Sequence, residues 1–473
     1  MPLVAGVDSS TQSTKIELRD AESGELIARA SSPHPPVSPP RSEQDPSSWW
    51  AAFEHSWEQL GSPTVAAISI AGQQHGMVVL DRDRRLVRSA KLWNDTESAA
   101  DAGWLVKQLP AGAGGWAEAV GSVPVAAFTV TKLSWLHRSE HDAWSRMAHV
   151  LLPHDWLTMR LTGNLTTDRG DASGTGYWSP STGEYRWDLL DIIDRGRDWT
   201  AVVPRVLGPL QSAGAWGDVI VGPGTGDNMA AALGLGLGAG DVVVSLGTSG
   251  TVYCVADNPT HDATGSIAGF ADASGRFLPL ACTLNATKAT ETARRLLGVD
   301  HAELDRLALS ADPGAGGLTM LPYLDGERTP NRPQAAGVVS GLRSNGTREQ
   351  FARAAFEADA CSLYDAYQAL AAACGPQEGR LLLVGGGARS SAYQQIVGHV
   401  FGRQVTIPHD DEVVATGAAV QAAAVLTQTD PSTIALQWGL GTGSQVRPTA
   451  SFVAASAFDR HRYEDLRDAT VGW

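Results

Sequence analysis

Two segments far apart in the chain repeat one plan, and that repetition limits the fold more than any other feature. The first, "LVAGVDSSTQSTKIELRD" (3–20), reads as a strand, a small-hydroxyl turn and a second strand, with Leu3, Val4 and Val7 before the turn and Ile16 and Leu18 after it. The second, "DVVVSLGTSGTVYCVAD" (241–257), leads from Val242, Val243, Val244 and Leu246 through Gly247-Thr248-Ser249-Gly250 to Val252, Tyr253 and Val255. Matching hairpins at such a separation predict two domains of similar plan. A chain of 473 residues is also too long for one ordinary core. The hinge is expected in "GLGLGAG" (234–240), giving domains 1–237 and 238–473. A third glycine turn, Gly385–Gly387, follows the buried-strand candidate Leu381–Val384. Ser390 or Ser391 can cap a helix running through Ile396, Val397 and Val400. Next come "VTIP", a short strand, and "ATGAAVQAAAVL" (415–426), a helix of small residues suited to close packing. Strands and helices alternate, which predicts an α/β fold.

Charge and cysteine usage exclude several function classes. The net charge is −15 with no basic block, which argues against nucleic acid or an anionic membrane as partner. The most apolar stretch, Met229–Gly240, is Gly-rich and too short to span a bilayer. "MPLVAGVDSS" has no basic start, so no leader is expected and the predicted location is cytoplasmic. Four scattered cysteines predict neither a zinc site nor a disulfide framework. Thirteen of the fifteen tryptophans precede residue 217, most of them expected in the core.

Several short stretches can carry chemistry. Strand–turn–strand units rich in Ser, Thr and Gly present backbone N–H groups and hydroxyls to phosphate oxygens, and no Walker A sequence competes with that reading. Asp8 enters the first turn, where a carboxylate suits Mg²⁺ or an Asx-turn. In "AAISIAGQQHGMVVLD" (66–81), Val65, Ile68 and Ile70 predict one strand and Met77–Leu80 another. Gln73, Gln74 and His75 fill the bend between them. Amides and an imidazole there suit hydroxyl recognition, although a structural histidine is the plainer reading. Trp93, Asn94 and Asp95 offer an aromatic face beside polar acceptors, a common way to hold a sugar. In "GPGTGDNMAAALGLG" (222–236), Asp227 stands where a glycine turn enters a helix. It is there as an N-cap, or as the acceptor of a substrate hydroxyl proton during phosphoryl transfer. From its place at a helix N-terminus its pKa is expected near or below about 3.9.

The first hairpin, "GQQHG", "LWND", "GTGDN", "GTSG", "LPYLDGERTPNRP" and "GGGARS" occur in the order found in the FGGY carbohydrate kinases, and the chain resembles that family over nearly its whole length. Within it the motifs are most similar to those of members acting on xylulose. The resemblance implies two ribonuclease H/actin-like α/β domains around a central cleft, sugar mainly on the first and ATP mainly on the second. It implies Asp227 as catalytic base, with Gln74, His75, Trp93, Asp95 and Asn228 on the sugar and Asp8 beside Mg²⁺. Thr11, Gln12, Ser13 and Lys15 correspond to the first phosphate loop, Gly247 and Thr248 to the second, and Gly386, Gly387 and Ser391 to the adenine-side loop. "YLDGERTPNRP" is expected to be architectural. The chain departs from the family pattern at Ser10, Gln74 and Ala127, which bears on the identity of the sugar.

The expected reaction is ATP-dependent phosphorylation of D-xylulose at O5. L-ribulose, a pentitol or glycerol are the alternative substrates. A non-catalytic sugar sensor or an actin-like protein is the alternative from another class. The expected partner is a small-molecule sugar, and a homodimer is a candidate assembly.

Overall fold

The computed structural model describes residues 2–471. The chain forms two compact units. The first holds the residues up to Gly238 together with Val255–Leu278 and Glu412–Leu440. The second holds Ala239–Cys254, Pro279–Asp411 and the segment from Gly441 onward.

In the first unit, Leu3–Ser9 and Ser13–Asp20 form the hairpin read from sequence, and Leu26–Pro33 pairs antiparallel with its outer strand. On the other side of Leu3–Ser9 lies Ala67–Gly72, parallel to it. Beyond that strand follow Val219–Val221 and, further along the same edge, Thr225–Gly226, both also parallel to it. The second unit repeats this internal order. Val242–Leu246 pairs antiparallel with Gly250–Cys254, which continues to Phe277–Thr283. On its other side, Val242–Leu246 pairs parallel with Leu381–Val384, then comes Val405–Pro408.

Strand alternation gives the first sheet two different faces. Ala5, Val7, Ile16, Ile68 and Ile70 point into an apolar core with Trp49, Phe53 and Trp57. These three rings lie on one stripe of the helix Pro46–Gln59, which starts where Asp45 accepts from the Ser47 N–H and Pro46 takes the first turn. Trp216 meets Trp57 at 5.2 Å and Trp156 meets Trp49 at 6.3 Å, so the tryptophan-rich first half is largely core. Trp93, Trp104 and Trp187 stay exposed.

The opposite face carries two helices of small residues, Asp227–Gly234 and Val413–Thr427. Gly6 lets the latter lie against the first strand, since a Cβ there would overlap the Ala415 carbonyl. Where the two helices cross, a Cβ on Gly417 would overlap the Ala230 carbonyl and lie 2.9 Å from the Gly234 nitrogen. Gln421 bolts the longer helix down, accepting from Ser69 Oγ (2.5 Å) and donating to the Gly224 carbonyl (2.9 Å). The segment that leads into Asp227 is thereby fixed.

In the second unit all four cysteines are free, and Cys254 and Cys374 place their sulfurs 3.7 Å apart. Among the described residues no helix is long and apolar enough to cross a membrane.

The helix crossing gives a test with an inverted sign. On an open helix surface Gly→Ala stabilises by about 1 kcal/mol. Gly417→Ala is expected to destabilise instead, by about 1–3 kcal/mol from overpacking, read as a lower denaturation midpoint. A stabilised variant would show that the crossing has slack.

Candidate functional site

Parallel pairing assembles the first unit's site from three distant segments. Asp8 and Thr225 both stand opposite Ala71, one on each side of the central strand, and Ser9 and Gly226 both stand opposite Gly72. The carboxyl ends of the three strands therefore form one edge, the usual place for ligands in open α/β sheets. Past that edge the chain delivers Ser10, then Gln73-Gln74-His75, then Asp227-Asn228. Asp8 and Thr225 stand two strand spacings apart, each about 4.8 Å, and Asp227 follows two residues after Thr225.

Asp227 is the first residue of its helix, and Gly226 occupies the N-cap without a side-chain cap bond. Capping therefore does not account for the carboxylate. Asn228 donates to Asp227 Oδ1 from both its backbone N–H (2.8 Å) and its amide (2.9 Å), and its amide also donates to Gln74 Oε1. The expectation of an ordinary or lowered pKa is corrected. Burial, then the negative charges of Asp8 and Asp171, raise Asp227 to about 7. Loss of water around the carboxyl and two like charges nearby outweigh the favourable helix N-terminus. Asp8 is raised to about 6, again chiefly by burial, while the Ser10 hydroxyl donates to it and Lys15 attracts it. Lys15 is itself 2.6 Å from Glu412.

His75 is buried in a left-handed conformation (φ 62°). Its Nδ1 lies 2.8 Å from Asp171 Oδ1, which also accepts the His75 backbone N–H at 3.1 Å. Phe128 and Phe270 flank the ring at centroid distances of 5.5 and 5.0 Å. Gln74 donates to the Met229 sulfur at 3.1 Å. Trp93 is 41% exposed, enough to offer its ring face, and its N–H donates to Thr11 Oγ1 at 3.0 Å. Thr11 in turn donates to Gln73 Oε1 at 3.1 Å. Its hydroxyl is thus tied to the indole and amide side, although sequence reading put Thr11 on a phosphate loop. Gln12 is exposed at the tip of that turn, and the Ser13 carbonyl closes it by accepting from the Ser10 N–H at 3.1 Å.

Asp95 is a correction. It is fully buried, and its oxygens accept from Ser42 N (2.9 Å), Glu97 N (3.1 Å) and Lys91 Nζ (2.9 Å). With Glu43 and Glu97 it forms a tight acid cluster, but the Lys91 ammonium sits 2.5 to 3.3 Å from all three carboxylates. That cluster is a buried ion network, with neither a metal seat nor a free acceptor for sugar.

The second unit carries a cavity of about 1170 Å³ lined by Gly247, Thr248, Lys288, Arg295, Gly386 and Gly387, among others. Its glycine turns meet because Ser245 stands opposite Val384 on neighbouring parallel strands. Gly385 has a φ of 87°, and a Cβ there would stand 2.7 Å from the Leu246 carbonyl. Thr287 Oγ1 donates to the Gly247 carbonyl at 2.9 Å, fixing the first turn. Ser390 caps the helix Ser391–Phe401 and lines the cavity. Ser391, expected on the adenine side, lies outside that lining, with its hydroxyl 3.2 Å from Asp305. Glu327 of "YLDGERTPNRP" accepts from the backbone N–H of Leu284 (2.6 Å) and Arg328 (2.7 Å) and from the Asn285 amide (2.9 Å), which anchors a loop.

Sequence reading missed one buried group in the first unit: His154, Asp155, Asp168 and Asp171. Only the cap signal at Asp168, whose carboxylate accepts from the Gly170 and Asp171 N–H groups, was legible there.

The model of the FGGY carbohydrate kinase N-terminal domain matches residues 3–234, and that of the C-terminal domain matches residues 242–426. A xylulose kinase of Streptomyces rubiginosus is 47% identical over 93% of this chain and 92% of its own length. The crystal structure of xylulose kinase from Bifidobacterium adolescentis is similar with a TM-score of 0.88 at 41% identity, covering 97% of this chain and 99% of that one. A gluconate kinase structure from Lactobacillus acidophilus has a TM-score of 0.92 at 23% identity, covering 100% and 98% respectively, a likeness of fold alone. The chain belongs to the FGGY family of carbohydrate kinases.

Proposed function

We propose that this carbohydrate kinase transfers the γ-phosphoryl group of ATP to O5 of D-xylulose, with Asp227 as the general base. The observation that carries the mechanism is the Asp227 carboxyl, raised to about 7 and set beside Asn228, Gln74 and His75 on one sheet edge. A base is most effective when its pKa lies near the working pH. Burial therefore makes Asp227 a far better proton acceptor than an exposed carboxylate. Asn228 holds that carboxylate by two hydrogen bonds, so it waits in one orientation for the hydroxyl. The Trp93 ring offers an apolar face to sugar C–H groups, while Gln74, His75 and Asn228 offer polar contacts to hydroxyls. The sugar assignment rests on the 47% identical xylulose kinase.

Asp8 and the Ser10 hydroxyl are hard oxygen donors, and a buried carboxyl raised to about 6 gains from a cation beside it. These residues fit Mg²⁺. Bound there, the ion would neutralise phosphate charge. In the second unit, the Gly247–Thr248 and Gly386–Gly387 turns fit a nucleotide, because they line a cavity large enough for one and glycine turns offer backbone N–H groups to phosphate oxygens.

The deciding experiment is ADP release measured over pentuloses, hexuloses, pentitols and glycerol. D-xylulose should give the highest kcat/KM, and a better substrate would replace it without touching the reaction class. Asp227→Asn keeps shape and removes the proton acceptor. It should leave the melting temperature and ligand binding near normal while kcat falls on the order of 10²–10⁴-fold. Wild-type turnover in the folded variant would remove Asp227 from the mechanism. Thr248→Val should weaken ADP binding by about 1.5–3 kcal/mol, the worth of a hydrogen bond to a charged group, with the sugar KM unchanged. Calorimetric titration with ADP checks this, and undiminished affinity would move the nucleotide away from this turn.

A further inference from the structure

Beneath the sugar-side edge of the first unit, His154 is fully buried with its Nε2 3.2 Å from Asp155, 3.4 Å from Asp168 and 3.6 Å from Asp171. Burial alone would strip its proton, but the three carboxylates win and raise it to about 9. The ring is a buried cation at neutral pH. Two of its neighbours have other duties. Asp155 accepts the Leu152 N–H at 2.8 Å, while Asp168 accepts from Gly170 N (2.8 Å), Asp171 N (2.9 Å) and Thr225 Oγ1 (2.7 Å). Asp171 faces both ways. Its Oδ2 is turned toward His154, and its Oδ1 takes the backbone N–H and Nδ1 of His75.

We propose that Asp171 is a positioning residue: it holds His75 in the tautomer that carries its proton on Nδ1, and so presents Nε2 to a sugar hydroxyl as an acceptor. The sugar role rests on the kinase reading above. Asp171 Oδ1 already accepts the His75 backbone N–H, and that same accepting oxygen lies 2.8 Å from Nδ1, which assigns the ring nitrogen as the donor. In the neutral imidazole the other nitrogen is then an acceptor. Among the described residues Nε2 has no hydrogen-bond partner in the protein. The ring has little freedom to turn. The Thr129 hydroxyl donates to the His75 carbonyl at 3.1 Å, Phe128 and Phe270 flank the ring, and a Cβ on Gly174 would overlap it. An amide at position 171 has no good orientation. Its NH₂ would point either at the His154 cation or at two His75 donors, and moving the ring proton to Nε2 relieves only the ring half of the second conflict, leaving the His75 backbone N–H facing the amide.

The test uses the sugar that the wild type turns over fastest. Asp171→Asn should raise its KM by about tenfold or more, the loss of a hydrogen bond plus an unsatisfied partner, with smaller change in kcat and none in ADP affinity. In a His75→Ala background the same substitution should change the sugar KM by less than about twofold, because Asp171 acts through a ring no longer present. Nitrogen-15 histidine spectra of the wild type, assigned with His75→Ala, read the tautomer directly without any variant at position 171. Proton on Nδ1 alone is expected. A proton on Nε2, an unchanged KM in Asp171→Asn, or full additivity with His75→Ala would each overturn the proposal. A wild type that phosphorylates no sugar would show instead that the kinase reading fails, a result seen before any variant is made.

Discussion

The register of three parallel strands is the constraint on which the first unit's site depends. Asp8, Ala71 and Thr225 stand in one row, so segments from the beginning, the first quarter and the middle of the chain end side by side. Slipping any one strand by a residue would turn its side chains to the opposite face, and a slip of the first strand would send Asp8 into the tryptophan core. That core opposes such a slip, because Val7, Ile16 and Ile70 would then leave it. The other face is held by backbone proximity. Gly6, Gly234 and Gly417 allow two helices to lie almost in contact with the sheet and with each other, and the start of one of them is Asp227.

Much of this was legible because it is local. Both hairpins, the Gly385–Gly387 turn, the Ser390 cap and the small-residue helix follow from alternation, turn chemistry and capping, and all stand where those rules put them. What escaped depends on residues distant in sequence. The pKa of Asp227 was misjudged because a helix N-terminus is visible in a sequence, whereas burial and the charges of Asp8 and Asp171 are not. Asp95 looked like a sugar acceptor beside Trp93, yet Lys91 four residues earlier consumes it. The small-residue helix lies late in the chain but belongs to the first unit, a placement no periodicity reveals. His154 and its three aspartates show neither ligand spacing nor a motif, since strand and helix packing alone brings them together.

Fold and substrate are separate matters here. Structures of 41% and 23% identity share nearly the same TM-score, so the scaffold does not choose the sugar. On the site proposed above, the choice lies in the side chains at the edge, and their balance of charge is informative. Asp8 and Asp227 stand at that edge, and beneath it Asp155, Asp168 and Asp171 surround the His154 ring.

Such a site is rich in acceptors and short of positive charge. A neutral polyol meets it well. Each hydroxyl donates one hydrogen bond to a carboxylate, an imidazole nitrogen or an amide oxygen and brings no charge into a desolvated place. An anionic sugar acid would instead set a carboxylate against Asp227 and Asp8, whose mutual repulsion already helps to hold a proton on the site. On the proposed reading of Asp227 as the base, the burial and neighbouring charges that raise its pKa would also disfavour acidic substrates, so that base strength and substrate class would arise from one electrostatic arrangement.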